Sequence, residues 1–274
     1  MEMILMILAI LAGSAISLAG GALIFTTKKR RDRALLIAMP FGAGALLAAA
    51  FFDLLPEAFE QAPVDETLIW VLVGFLAFFL FERSASWFHA HHEHDHRGKD
   101  SAQRKLIILG DLVHNAIDGV AIGAAFVVNP ALGIITTIAV SAHEIPKELG
   151  TFALLLSRGW KDKTVLLANI ATAVATIVTA VLVFSLGSAD QFPAAAILAA
   201  TAGFFIYIAA SDIIPEIHEQ SHRPGMIQAG MLVIGVVLVG SLITVLHSSE
   251  LHGHDHEPSH SHIEEHHDEH DDEH

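Results

Sequence analysis

Eight apolar runs, at residues 3–25, 34–55, 67–88, 105–128, 131–156, 164–186, 192–214 and 226–246, leave this chain little choice of fold. Each is close to the length of about twenty residues that a helix needs to cross the hydrocarbon of a bilayer. In hydrocarbon every backbone N–H and C=O must be satisfied within its own segment, so runs of this length are expected as helices. Composition agrees: 53% hydrophobic and 16% charged residues, with a mean hydropathy of +0.54, exclude an ordinary soluble domain of 274 residues. The net charge of −15 is misleading as an average, because ten of the thirty acids fall in residues 250–274. An all-α, polytopic membrane protein of eight spans is the predicted class. The first run is read as a retained span and not a cleaved signal, since it lacks a basic leader and matches its neighbours in length.

Orientation follows from the fifteen Lys and Arg residues. Fourteen lie in, or within a few residues of, the connections after the first, third, fifth and seventh runs, and the fifteenth is Lys147 deep inside a run. By the positive-inside rule those connections are cytoplasmic and both termini are outside. The chain also repeats itself. Asp53-Leu54-Leu55-Pro56-Glu57 closes the second run and Asp212-Ile213-Ile214-Pro215-Glu216 the seventh, and the topology turns the two copies upside down relative to each other. An inverted repeat of three helices around a central pair, a 3+2+3 plan, is therefore expected, as in many transporters. Asp53, Glu57, Asp212 and Glu216 sit at run ends, where they line the entrance and exit of a pathway or are simply solvated. Residues 1–246 form the membrane domain. Two segments stand apart from the bundle: a cytoplasmic loop, 89–104, with His89, His91, His92, His94 and His96, and a tail, 247–274, with ten further histidines. Both are low-complexity, and neutral imidazole makes them auxiliary metal binders or merely solvated segments.

The chemistry is concentrated in the fourth and fifth runs. His114, Asn115 and Asp118 lie within a turn of one another and share a helix face. In the next run His143 is one turn from Lys147, and Glu144 one turn from Glu148. Such groups cost about 2.5–3.5 kcal/mol each at the centre of a membrane helix, so a transport or catalytic path is their default reading. The two stretches are expected to face each other as halves of one metal site. Pro146 adds to this by removing a backbone donor and freeing the carbonyl of Ala142, with a kink. With no cysteine in the chain any metal must be held by nitrogen and oxygen, a set that suits Zn²⁺, Fe²⁺, Mn²⁺ or Cd²⁺. Asp111 divides between lining the path and packing or capping the fourth helix. Asn169 in the sixth run could complete the site or bond between helices.

The H-N-x-x-D of the fourth run, the H-E-x-P-x-E of the fifth, the His-rich third connection and the two D-x-x-P-E ends together resemble the ZIP family of divalent-metal transporters. The resemblance covers the whole membrane part. It implies metal held between helices four and five and carried toward the cytoplasm by an elevator or rocking motion, with His114, Asn115, Asp118, His143 and Glu144 as ligands and Glu148 beside them. Lys147 departs from the pattern, which has histidine there or a glutamate that bridges two metals. An ammonium cannot ligate, so Lys147 is expected either as a tethered cation in the second site, paired with Asp118, Glu144 or Glu148, or as a group involved in proton coupling. Two other readings compete. His143-Glu144-Ile145-Pro146-Lys147 resembles an H-E-x-x-H metalloprotease signature without its second histidine, and His-rich loops also suit an exporter. The metal is substrate, no organic cofactor or nucleic-acid partner is expected, and a homodimer is left open. The lack of targeting signals points to a prokaryotic inner membrane.

Overall fold

The computed structural model describes residues 1–21, 27–91, 99–157, 160–187, 192–215 and 225–253. Eight long helical segments run through them: α1 (Glu2–Gly21), α2 (Lys28–Ala49), α3 (Val64–His91), α4 (Lys99–Val128), α5 (Pro130–Ser157), α6 (Asp162–Leu186), α7 (Ala194–Tyr207) and α8 (Gly225–Gly253). No strand occurs among the described residues. Seven of these segments are long and apolar enough to cross a membrane. The exception is α5, whose span carries Glu144, Lys147 and Glu148.

One helix continues where the sequence suggested it would stop, and two pass through a π turn just ahead of a proline. α2 passes through a π turn at Ala50–Leu54 into Leu55–Gln61, and α7 passes through another at Ile208–Ile213. The cause is proline. Pro56 and Pro215 have no N–H to give to the preceding turn, and the widened turn lets Leu55 N–H reach Ala50 O and Ile214 N–H reach Ala209 O instead. Asp53 therefore lies inside the helix, fully buried, and not at a solvated end. Glu57 is half-buried, with Oε1 accepting a 2.8 Å hydrogen bond from Gln61 Nε2 on the next turn. The side chain of Asp212 and all of Glu216 lie outside the described residues, as do the side chains of His89 and His91, the whole of His92, His94 and His96, and the tail from residue 254.

Helix packing is pairwise: α4 against α6, α2 against α8, α3 against α7, and α1, α2 and α4 against α5. Close approach is possible because small residues leave room for backbone. At the α3–α7 crossing a Cβ built on Gly74 would strike the Ala200 carbonyl, and one on Gly203 would strike Val71 O, so each helix sits in the other's glycine notch. Burial separates centre from rim. Half of the α4 span and 56% of the α7 span are buried, against 17% for α3 and α8. Rim helices expose rows such as Leu68, Leu72, Leu76 and Leu80 on α3, the face that lipid would cover. The central helices hold the polar groups away from that face.

Candidate metal centre

α4 and α5 are joined through the single residue Asn129, whose Oδ1 accepts the Leu132 N–H at 2.7 Å and caps α5 just ahead of Pro130 at its start. The short turn makes the two helices antiparallel neighbours. Their facing sides bring together His114 and Asp118 from α4 and His143 from α5. His114 Nε2 lies 3.2 Å from His143 Nε2. Asp118 Oδ2 lies 3.6 Å from the first and 3.8 Å from the second. Tetrahedral zinc with bonds of about 2.0–2.2 Å separates its ligand atoms by about 3.4 Å, so the triangle has the size of one face of such a site.

The surroundings support the same chemistry. Asp118 is fully buried, and neither carboxylate oxygen has a hydrogen-bond partner among the described residues. A buried acceptor in that condition is costly unless a cation completes it. His143, 2% exposed, turns Nδ1 toward Ala139 O at 3.4 Å, which leaves Nε2 aimed at the triangle. His114 is held edge-on by Phe78 and Phe204, with ring centroids 5.6 and 5.7 Å away. Those two rings also form part of the wall of a 630 Å³ apolar cavity between α3, α4 and α7.

Other predicted ligands are near but differently engaged. Asn115 is buried and faces α6: Thr176 Oγ1 donates to its Oδ1 at 3.1 Å and to its backbone O at 3.0 Å, while Nδ2 donates to Asp111 O at 3.0 Å. Glu144 and Glu148 are buried on α5 outside the triangle of ligand atoms. Lys147 does not pair with Asp118, Glu144 or Glu148. Its Nζ lies 3.0 Å from Asp111 Oδ1. Antiparallel register explains this, because stepping back one turn from His114 and forward one turn from His143 leads toward the same end of the pair. Asp111 thus acquires a specific role as the ammonium's partner.

Three contributors escaped the sequence reading. Thr172 and Thr176 continue the spacing of Asn169 along one buried stripe of α6, a polar periodicity visible in retrospect. It is Thr176, and not Asn169, that bonds across to α4. Asn169 is buried, and its Nδ2 has no partner among the described residues. Gly42 on α2 is the third: a Cβ there would come 3.0 Å from Ala142 O and from His143 Cα. The carbonyl that Pro146 cannot satisfy is therefore covered by α2 backbone, and α5 remains helical through the proline.

Comparison with known proteins points one way. A family model described as ZIP Zinc transporter matches residues 2–106 and 91–246. The chain is similar to "Zinc transporter foi" of Drosophila melanogaster, 36% identical over 166 residues, covering 57% of this chain and 23% of that protein. It is similar to "Zinc transporter ZIP4" of Mus musculus, 38% identical over 142 residues, covering 52% and 21%. With "Metal cation symporter ZIP14" of Xenopus tropicalis it shares 28% identity over 279 residues, covering 76% and 60%. The chain thus spans about a quarter or less of the first two proteins. All three are animal proteins, which gives no support to the expected prokaryotic membrane.

Proposed function

Because this chain belongs to the ZIP zinc transporter family, we propose that it carries a divalent transition-metal ion, Zn²⁺ foremost and Fe²⁺, Mn²⁺ or Cd²⁺ as alternatives, into the cytoplasm through a site between α4 and α5. Its relatives are named as transporters, and the metalloprotease reading is set aside with the missing histidine. The observation that carries the proposal is the triangle of His114 Nε2, Asp118 Oδ2 and His143 Nε2, with edges of 3.2–3.8 Å. Three protein donors leave at least one coordination position open, as an exchangeable site requires and a structural one does not. Asn115, Glu144 and Glu148 serve as further oxygen donors along the path. Asp53, which is buried, and Glu57 line one end of it.

The packing supports the 3+2+3 plan with α5 as an eighth span. Exchanging α1 with α6, α2 with α7, α3 with α8 and α4 with α5 turns the α1–α5 contact into α6–α4 and the α2–α8 contact into α7–α3, all of which occur. The two π turns fall at matching points, each ending at or next to the Asp of its D-x-x-P motif. The single-sided distribution of Lys and Arg supports outside termini. Inward direction rests on the family likeness.

Reconstitution tests this. Proteoliposomes holding a zinc-sensitive dye should take up zinc through the native chain, and His143→Ala should reduce uptake to that of empty liposomes. Unchanged uptake in both His114→Ala and His143→Ala would place the route elsewhere, and efflux without uptake would reverse the direction.

A further inference from the structure

The 630 Å³ cavity between α3, α4 and α7 holds no metal ligand, although two of its walls, Phe78 and Phe204, also flank His114. α3 and α4 both pack on α7 and scarcely meet each other, so α7 is the floor of a slot with the other two helices as its sides. Trp70 on its rim is 39% exposed and Ala77 is exposed too, which opens the slot beside the leucine row that lipid would cover. We propose that this slot is a binding site for a single acyl chain of a membrane phospholipid, drawn from the leaflet on the side where α3 and α7 begin. Such a site stands whether or not the chain carries metal.

Chemistry selects hydrocarbon. Among the described residues no charged side chain lines the slot, and its polar groups are the Trp70 indole and the Thr201 hydroxyl. Water in a cavity needs several polar partners, which this lining does not offer. Left empty, a space of this volume would forfeit dispersion contacts along its whole lining, and packed interiors hold few voids larger than a water molecule. The fluid at the mouth is lipid, whose chains present the matching apolar surface. Length then selects one chain of one leaflet. Along α3 the lining runs from Trp70 to Phe81, about 16 Å at 1.5 Å per residue, roughly half of the 30 Å hydrocarbon core. Along α7 it runs from Pro193, just ahead of the helix, to Phe204 in the middle of the apolar run 192–214. The slot therefore reaches from one membrane surface to mid-bilayer, the depth that the chains of one leaflet fill. Trp70 lies at the shallow end, where an indole N–H meets the interface while its rings cover hydrocarbon. At the deep end the methyl terminus of the chain would lie against Phe78 and Phe204, the rings that flank His114.

Light-activated lipid reads the contact directly. Proteoliposomes of the full chain are made in phosphatidylcholine, a fraction of which carries a diazirine on one acyl chain, and after illumination the adducts are located by peptide mass spectrometry. Leu72 and Leu76 on the open face of α3 report lipid in general, whereas Val113, Ile117 and Val120 of α4 report the slot. The native chain should give both sets. A diazirine near the carbonyl should mark Val120 and one near the methyl end Val113, because α4, the next span after α3, runs through the slot the opposite way. Ala77→Phe and Ala196→Phe put a ring into the slot from α3 and from α7, and each should lose the slot adducts while keeping those at Leu72 and Leu76. Slot adducts that persist in both variants, or an unlabelled slot in a native chain labelled at Leu72 and Leu76, overturn the proposal. A reversed depth order overturns it as well, and that reading needs only the native chain should neither variant fold. An unlabelled slot together with cross-links between two copies through α3 would overturn it in favour of a second copy of this chain as the occupant.

Discussion

Asp118→Asn puts the metal centre to a quantitative test. The substitution changes one oxygen to an amide nitrogen at a residue with no exposed surface, and it deletes the carboxylate that closes the triangle with two imidazoles. A ligand that binds only the folded chain stabilises it by RT ln(1 + [L]/Kd), which is about 2.7 kcal/mol at a free zinc concentration one hundred times Kd. For a protein of this size that is a rise of about 5–11 °C in the unfolding midpoint. Groups that merely support a ligand change metal affinity by about 10–100-fold, and a direct ligand should matter at least as much as the strongest of them. A 100-fold loss brings the same zinc concentration down to Kd, leaving about 0.4 kcal/mol, or roughly 1–2 °C. The assay is thermal unfolding in detergent, with and without buffered zinc, for the native chain and the variant. Zinc held equally by folded and unfolded chain cancels from the shift, so histidines outside the site do not imitate the effect. A variant that keeps a zinc-induced rise of 5 °C or more would refute the assignment of Asp118 as a ligand.

Three packing predictions test the frame around the site. Thr176→Val removes the donor to Asn115 Oδ1 and leaves that oxygen buried and unpaired; unfolding in denaturant should show a loss of about 1–3 kcal/mol. Tyr207→Phe deletes the 2.6 Å hydrogen bond to Glu82 Oε2 that ties α7 to α3, and should cost about 1.5–3 kcal/mol in the same measurement. Gly203→Ala forces a methyl into the Val71 carbonyl at the α3–α7 crossing, where the obstacle is backbone that cannot rotate away; a loss near the upper end of about 1–3 kcal/mol is expected, read as a lower unfolding midpoint. An unchanged midpoint in any of these would mean that the corresponding helix contact contributes nothing.

Much of the site was legible because its spacing is local. His114 and Asp118 stand one turn apart on α4, and no tertiary information is needed to know that they share a face. Antiparallel α4 and α5 follow from a one-residue connection at Asn129. Other features depended on register between helices. Asp111 looked equally suited to a path or a cap until the bundle set it against Lys147, and Lys147 had three plausible partners on paper, none of them the one it has. Asn115 reads as a ligand from its position beside His114, but only the fold shows that Thr176, sixty-one residues later, donates to the same oxygen. Asp53 suited either a path lining or a solvated helix end on paper, and the π turn that carries α2 past Pro56 sets it inside the helix, fully buried.

From the sequence alone came the helical class, the membrane setting, the lack of thiolate ligands and the pairing of two polar stretches in adjacent spans. These follow from hydropathy, composition and helical period, which are properties of residues within a few turns of each other. Tertiary structure decided which atoms meet: the 3.2 Å approach of the two imidazoles, the ammonium's choice of Asp111, and the covering of the Ala142 carbonyl by Gly42. Those depend on how far one helix slides and turns against another, and shifts of a few ångströms there leave every local pattern in the chain unchanged.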